Sequence, residues 1–337
     1  MKQIVFESMN TAALWEAKDR LPDAGEVRAR ICYSAVSAGT ERDSLTRTTG
    51  LNCMDRDAVG AFPHIVGYSE SGIVEQVGEG VTDLHVGDRV MIHGGGHQEY
   101  CTRPRNEFVK IPSENVGLDE AAMVVIAGFP LAAVRKIRLE LGESCMVVGL
   151  GMLGLFAVQF AHLCGAVPVI AVDFNEERRA MALSMGADIA LDPSDPKHVE
   201  KVRALTGGKG VNGIIEVTGS GKALNQALLC SAPFGRVALL GCTRDPVEVD
   251  FYHDVHFPGI TLIGAHSGAR PRRESHPAYW TEMEDCRVIL DYLAAGRLHF
   301  REMIHEIHSP KEAAEVYRRL TQDKNFPIGV LFDWQKM

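Results

Sequence analysis

Cys145-Met-Val-Val-Gly-Leu-Gly-Met-Leu-Gly154, followed by Val169-Ile-Ala-Val-Asp173, decides the fold of this 337-residue chain. The run Cys145–Val148 is apolar without alternation, as in a parallel strand buried on both faces. Gly149, Gly151 and Gly154 then form G-x-G-x-x-G, and Leu155 to Leu163 predicts an apolar helix. A second apolar strand ends in Asp173, nineteen residues after Gly154. Strand, glycines, helix, strand and acid in this order make a dinucleotide-binding βαβ unit. Gly149 permits the tight turn, Gly151 lets backbone approach a pyrophosphate, and Gly154 lets helix pack close to strand. The helix N-terminus, with Met152 and Leu153 in its first turn, offers N–H groups to the phosphates. Asp173 suits the ribose hydroxyls and disfavours a 2′-phosphate, so the expected cofactor is NAD. Arg178 is placed either to stack on adenine or to lie on an ordinary surface helix.

Around this unit, residues 126 to 270 alternate strand and helix. Strands are expected at 145–149, 167–172, 188–191, 212–217, 235–241 and 260–264, with helices at 152–164, 175–185, 196–206 and 221–231. That alternation predicts a doubly wound parallel sheet. Asn175 reads as a helix cap and Gly186 as a helix stop. Residues 1 to about 125 are β-rich, with short apolar runs at 27–34, 72–77, 88–92 and 108–111 between turn signals, the pattern of a compact, partly open barrel. Near the C-terminus, helices are expected at 281–295 and 309–320. Gly329-Val-Leu-Phe332 reads as a strand that rejoins the first domain. The expected division is 1–126 with 275–337, and 127–274.

Composition narrows the class. Net charge is −9, from 35 basic and 44 acidic side chains, which argues against nucleic acid or an anionic membrane as partner. The longest apolar stretch, Ala121 to Val134, is too short for a membrane span and contains Gly128 and Pro130. The N-terminus reads as a first strand and not as a signal peptide. Eight cysteines are scattered without a C-x-x-C pair, and Cys145, Cys164 and Cys230 read as buried thiols. A reducing, cytoplasmic compartment is expected.

Several separated motifs together resemble the medium-chain dehydrogenase/reductase family, the alcohol and polyol dehydrogenase group. They are Gly67-Tyr-Ser-Glu-Ser-Gly-Ile-Val-Glu-Gln-Val-Gly78, Val86-Gly-Asp-Arg-Val90, the glycine turn, Ala171-Val-Asp173, Gly186-Ala-Asp188, Glu216-Val-Thr-Gly219 and Gly235-Arg-Val-Ala-Leu-Leu-Gly241. The resemblance covers nearly the whole chain. It implies a GroES-like β-barrel catalytic domain, a Rossmann NAD-binding domain, and a homodimer or homotetramer. It also implies cofactor contacts from Gly149, Gly151, Met152, Leu153, Gly154, Asp173, Phe174 and Arg178, with Val217, Thr218, Gly219, Gly241 and His266 on the nicotinamide side.

The departures matter as much. Zinc-dependent members carry Gly-His-Glu where this chain has Gly67-Tyr68-Ser69, and their other two ligands fall at about Ser37 and near Ala127. Zinc needs thiolate, imidazole or carboxylate, and none stands there. The four-cysteine structural zinc lobe is also missing after Arg89-Val90, where Gly94-Gly-Gly-His97-Gln-Glu-Tyr100 passes straight through. The expectation is a zinc-independent member with no metal. An open site made from His64, His93 and His97 is the competing possibility, with a spacing that matches no recognised ligand pattern.

Without a metal, side chains must polarise the carbonyl and move the proton. Tyr68 is the first candidate, against a role as packing in a vacated site. Ser37 and Thr40 could hydrogen-bond the substrate oxygen or relay a proton, and His93 is suited to acid–base work near neutrality. Tyr252-His-Asp-Val-His256, His266 and Ser267 are further candidates to face substrate, as is the polar loop Leu45 to Phe62. The expected function is NAD(H)-dependent interconversion of a secondary alcohol, sugar-like or polyol-like, and a ketone. Two alternatives stand beside it: a zinc-free reductase of activated C=C bonds, and a non-catalytic NAD(H)-binding protein.

Overall fold

The structure is a computed structural model and describes residues 1–46, 62–323 and 325–337. It divides into two compact units, Met1–Ile126 with Cys286–Met337, and Ala127–Asp285. No helix among the described residues is long and apolar enough to cross a membrane.

In the second unit the apolar runs become six parallel strands. Their order across the sheet is Ile189–Leu191, Val169–Val172, Cys145–Val148, Val211–Glu216, Ser231–Leu239 and Thr261–Gly264. The runs Cys145–Val148 and Val169–Val172 are buried throughout, as expected of strands covered on both faces. They pair in register, Val147 with Ala171 and Val148 with Val172. The helix Met152–Leu163 is largely apolar and buried from Gly154 to Ala161. Asn175 caps the next helix, Glu176–Ser184, its side chain accepting from the Arg178 N–H at 3.0 Å. The chain leaves Cys145–Val148 toward one edge and resumes at Val211–Glu216 toward the other. Ligands bind such sheets at this reversal, beyond the carboxyl ends of the strands.

Two expectations shift here. The return to the first unit begins at Cys286, later than the expected residue 275. Asp285, fully buried, is held by Arg135 Nε at 2.7 Å and Arg270 Nη1 at 3.4 Å, which ties its segment to the second unit. Cys164, expected buried, is exposed, because it is the C-cap residue where the helix Met152–Leu163 ends.

The first unit is built around the ten-residue strand Glu26–Ala35. Ser69–Val77 pairs with it antiparallel, Ser34 opposite Glu70, and Arg89–His93 pairs with Ser69–Val77, Ser69 opposite His93. Gly329–Asp333 adds on the other side, Leu331 opposite Ala35, so the C-terminal strand does rejoin the first sheet. Phe6, Phe108, Tyr317 and Phe332 are fully buried in this unit's core.

Candidate active site

The cofactor candidates lie beyond the carboxyl ends of neighbouring parallel strands: the glycine turn after Cys145–Val148, Asp173 after Val169–Val172, Val217 to Gly219 after Val211–Glu216, Gly241 after Ser231–Leu239 and His266 after Thr261–Gly264. Val217 N–H donates to Val148 O at 2.9 Å, which draws the turn after Val211–Glu216 against the glycine turn. A Cβ built on Gly149 would stand 2.7 Å from Thr218 Cγ2. One built on Gly154 would collide with the Gly149 carbonyl, so the helix can start here only on glycine. Over Gly151 a Cβ would meet nothing within 4 Å, which leaves the backbone open to a ligand. No side chain among the described residues caps this helix, so its first-turn N–H groups are open to an anion.

Asp173 sits where this turn can use it. Its Oδ2 accepts from Leu150 N–H at 2.7 Å and its Oδ1 from Asn175 N–H at 2.8 Å. Each carboxylate oxygen keeps a further lone pair for a hydroxyl. Phe174 is exposed beside it. Arg178 contributes its backbone to the helix cap, while Arg179 braces the loop by donating Nη1 to Asp173 O at 2.7 Å and Phe174 O at 2.8 Å. Gly241 packs on Gly219 and Val217, and His266 turns its Nδ1 to the Gly268 N–H at 3.0 Å.

In the first unit the Tyr68 hydroxyl donates to Ser37 Oγ at 2.6 Å. The structure thus joins two of the sequence candidates. Ser37 directly precedes the helix Ala38–Thr46, a position whose hydroxyl ordinarily caps the helix. Here Ser37 Oγ makes no such bond among the described residues, and it serves Tyr68 instead. Thr40 lies in the first turn of the same helix. His93 is committed elsewhere, its Nδ1 lying 2.5 Å from Glu107 Oε2, and Glu107 is held below the usual carboxylate range by that contact.

Residues 24–123 match the alcohol dehydrogenase GroES-like domain family, and residues 153–285 match the zinc-binding dehydrogenase family. The chain belongs to the medium-chain dehydrogenase superfamily. L-threonine 3-dehydrogenase of Bacillus velezensis is 32% identical over 230 residues, which span 60% of this chain and 66% of that protein, just under two thirds. D-guloside 3-dehydrogenase of Escherichia coli is 26% identical over 98% of this chain and 100% of its own length. The crystal structure of galactitol-1-phosphate dehydrogenase from Escherichia coli superposes with a TM-score of 0.85 at 20% identity, covering 99% of this chain and 100% of that one. The expected pairing of a GroES-like domain with a Rossmann-like parallel sheet is therefore the fold of this chain.

Among the described residues no group of three His, Cys, Asp or Glu is placed to hold a metal ion. The three histidines weighed as an alternative site are dispersed. His64 stacks on Phe62 at 5.2 Å between ring centroids. His93 faces Glu107, and His97, fully buried, bonds Ser34 Oγ at 2.7 Å and Glu41 at 3.2 Å. Of the other candidates, Tyr252 is exposed, and His253 turns to Asp250 at 2.8 Å. Arg47, Asn52, Asp55, Arg56 and Asp57 of the polar loop lie outside the described residues.

Three residues of this chain have a role that sequence reasoning did not assign. Glu216 is buried and accepts from Thr218 N–H at 2.7 Å, Gly219 N–H at 3.1 Å and the Thr218 hydroxyl, which shapes the nicotinamide-side turn. Burial pushes its carboxyl up, and those donors oppose the shift. Glu70, also buried, accepts from Gly95 N–H at 2.7 Å and Gly96 N–H at 3.1 Å beneath the loop whose Gly94 N–H bonds Tyr68 O at 3.0 Å. Arg179 is the third. Glu216 and Glu70 stand in motifs that carry the family resemblance, but nothing local states what they bond. Their partners are backbone groups that only the fold supplies.

Proposed function

We propose that this chain is an NAD(H)-dependent oxidoreductase that interconverts a secondary alcohol and a ketone without catalytic zinc, on a sugar-like or polyol-like substrate. The observation that carries the reading is the Tyr68 hydroxyl on Ser37 Oγ at 2.6 Å, at positions where the family resemblance places zinc ligands. The relatives' names supply the substrate class: a threonine, a guloside and a galactitol phosphate each present a secondary hydroxyl. Asp173 at the end of its strand supports NAD over NADP, because a carboxylate repels a 2′-phosphate. The open backbone over Gly151 and the uncapped helix start would hold the pyrophosphate, and Thr218 and Gly219 would flank the nicotinamide.

When bound, the cofactor supplies the hydride that the carbonyl carbon takes up, or accepts it in the reverse direction. The proton is this chain's work. In reduction Ser37 gives its hydroxyl proton to the substrate oxygen and takes the Tyr68 proton in exchange. Tyr68, half-buried, regains a proton from solvent. Oxidation runs the same transfers backward. Ser37 accepts from Tyr68 and keeps its own hydrogen free to donate, so the pair has one proton direction at a time. A homodimer or homotetramer in the cytoplasm completes the proposal.

The test is a paired assay on the purified protein: metal content by elemental analysis, NADH against NADPH affinity by fluorescence titration, and turnover on a polyol, ketone and enone panel. Metal-free protein that prefers NADH and turns over a polyol is the expected result. Stoichiometric zinc would overturn the metal-free mechanism. NADPH preference with enone turnover would favour the C=C reductase, and tight NADH binding without turnover would favour a binding protein.

A further inference from the structure

One buried carboxylate stands behind the Tyr68–Ser37 pair. Glu41 is 2% exposed and lies one turn into the helix that Ser37 precedes. Its Oε1 accepts from Ser37 N–H at 3.0 Å, and its Oε2 accepts from the Tyr317 hydroxyl at 2.7 Å. His97 Nε2 lies 3.2 Å and 3.3 Å from the two oxygens.

The proton positions follow from the chain of partners. Trp334 Nε1 can only donate, and it donates to Ser34 Oγ at 2.9 Å. Ser34 keeps its hydrogen and a second lone pair, either of which can meet His97 Nδ1 at 2.7 Å. His97 Nε2 faces a carboxylate, which only accepts, so it carries a hydrogen pointing at Glu41. Three donors from three separate segments therefore meet on one carboxylate, with none left unpaired. Burial and the Glu41 charge together push the Tyr317 phenol well above its ordinary range, so Tyr317 remains a donor.

Two of those three segments bear on Tyr68. Ser37, fixed by its backbone N–H, presents the oxygen that receives the Tyr68 proton. His97 is the surface on which the preceding residue rests: Gly67 has φ +95°, and a Cβ there would stand 2.6 Å from His97 N and 2.8 Å from the ring. His97 N–H also bonds Val66 O at 2.7 Å. We propose that Glu41 is a positioning residue that sets the Tyr68 phenol from both sides, through Ser37 and through His97. The proposal rests on the reading of Tyr68 and Ser37 as the proton-handling pair.

Tyr68 replaced by 3-fluorotyrosine gives a direct readout, the fluorine resonance of that ring. Glu41→Gln keeps the shape but sets an NH2 group against at least one of the three donors. The resonance is expected to move. Turnover should fall by about tenfold to a hundredfold, the cost of a small misplacement of reacting groups, while NADH affinity holds. Tyr317→Phe removes one donor only and should shift the resonance in the same sense by less; it carries the test if Glu41→Gln does not fold. Glu306→Gln, a carboxylate elsewhere in the same unit, is the control and should leave the resonance in place. An unmoved resonance in both Glu41→Gln and Tyr317→Phe overturns the positioning role, whatever happens to activity. Full turnover by Tyr68→Phe would instead overturn the proton-pair reading, and the resonance would still decide what Glu41 positions.

Discussion

Removing the Tyr68 hydroxyl should separate catalysis from stability. In Tyr68→Phe the ring stays and one hydrogen bond, 2.6 Å to Ser37 Oγ, is lost. Its net worth to folding is about 0.5–1.5 kcal/mol, and Ser37 is 9% exposed, close enough to water to recover part of that. Its worth to turnover is larger. A positioned proton donor contributes about 10²–10⁴-fold, or about 3–5 kcal/mol of barrier at 1.36 kcal/mol per tenfold. Ser37→Ala should cost about the same, because the two hydroxyls pass a single proton in series. The double variant should then be no slower than either single one, so the coupling energy nearly equals the single effect. The assay is steady-state turnover of the four proteins at saturating NADH, with urea unfolding in parallel. If the double variant loses the product of the two single losses, the hydroxyls act independently and the relay is wrong. If Tyr68→Phe keeps wild-type turnover, Tyr68 only fills space.

Further outcomes follow from other parts of the structure. Asp173→Ser removes the charge that opposes a 2′-phosphate, so the preference for NADH over NADPH should fall by about tenfold or more in a fluorescence titration; an unchanged ratio would move the selectivity elsewhere. Gly67→Ala forces a side chain at φ +95° against His97, and overpacking with backbone strain should cost about 2–4 kcal/mol in urea unfolding. A loss below about 0.5 kcal/mol would mean that the His97 loop yields. Glu306 is paired with Arg319 at 2.8 and 2.9 Å and bonded by His308, and these partners hold its carboxyl at about 2. A depressed carboxyl stabilises the fold above its unfolded range near 4.5 and loses that contribution as pH falls toward 2. With solvent screening, Glu306→Gln should cost about 1–2 kcal/mol at pH 7, and the difference from wild type should shrink through that window. A deficit that stays constant down to the lower end would refute the ion-pair account.

How much of this was legible beforehand varies by element. The strands Cys145–Val148 and Val169–Val172 announce themselves because burial on both faces demands continuous apolar residues. The strand Ile304–His308 does not: it reads Ile-His-Glu-Ile-His and takes a sheet-edge place that its own composition never signals. The helix Val124–Lys136 hides behind Gly128 and Pro130, residues that locally argue against a helix and are overridden by burial of an apolar segment. The helix Ala38–Thr46 is too polar and too short to show a helical stripe.

For the site, local sequence is enough to mark the residues whose role is written in backbone geometry. A turn against Thr218 and a helix start against a carbonyl leave no choice but glycine, so Gly149 and Gly154 carry their function in their identity. An acid at the end of the second strand does the same for Asp173. Tertiary structure alone decided which side chains meet. Ser37 and Tyr68 are thirty-one residues apart, Glu41 and Tyr317 are 276 apart, and nothing local records either contact. A hydrogen bond in a buried site is set by three-dimensional registry of sheet and helix, whereas a glycine turn is set by the sterics of a few consecutive residues.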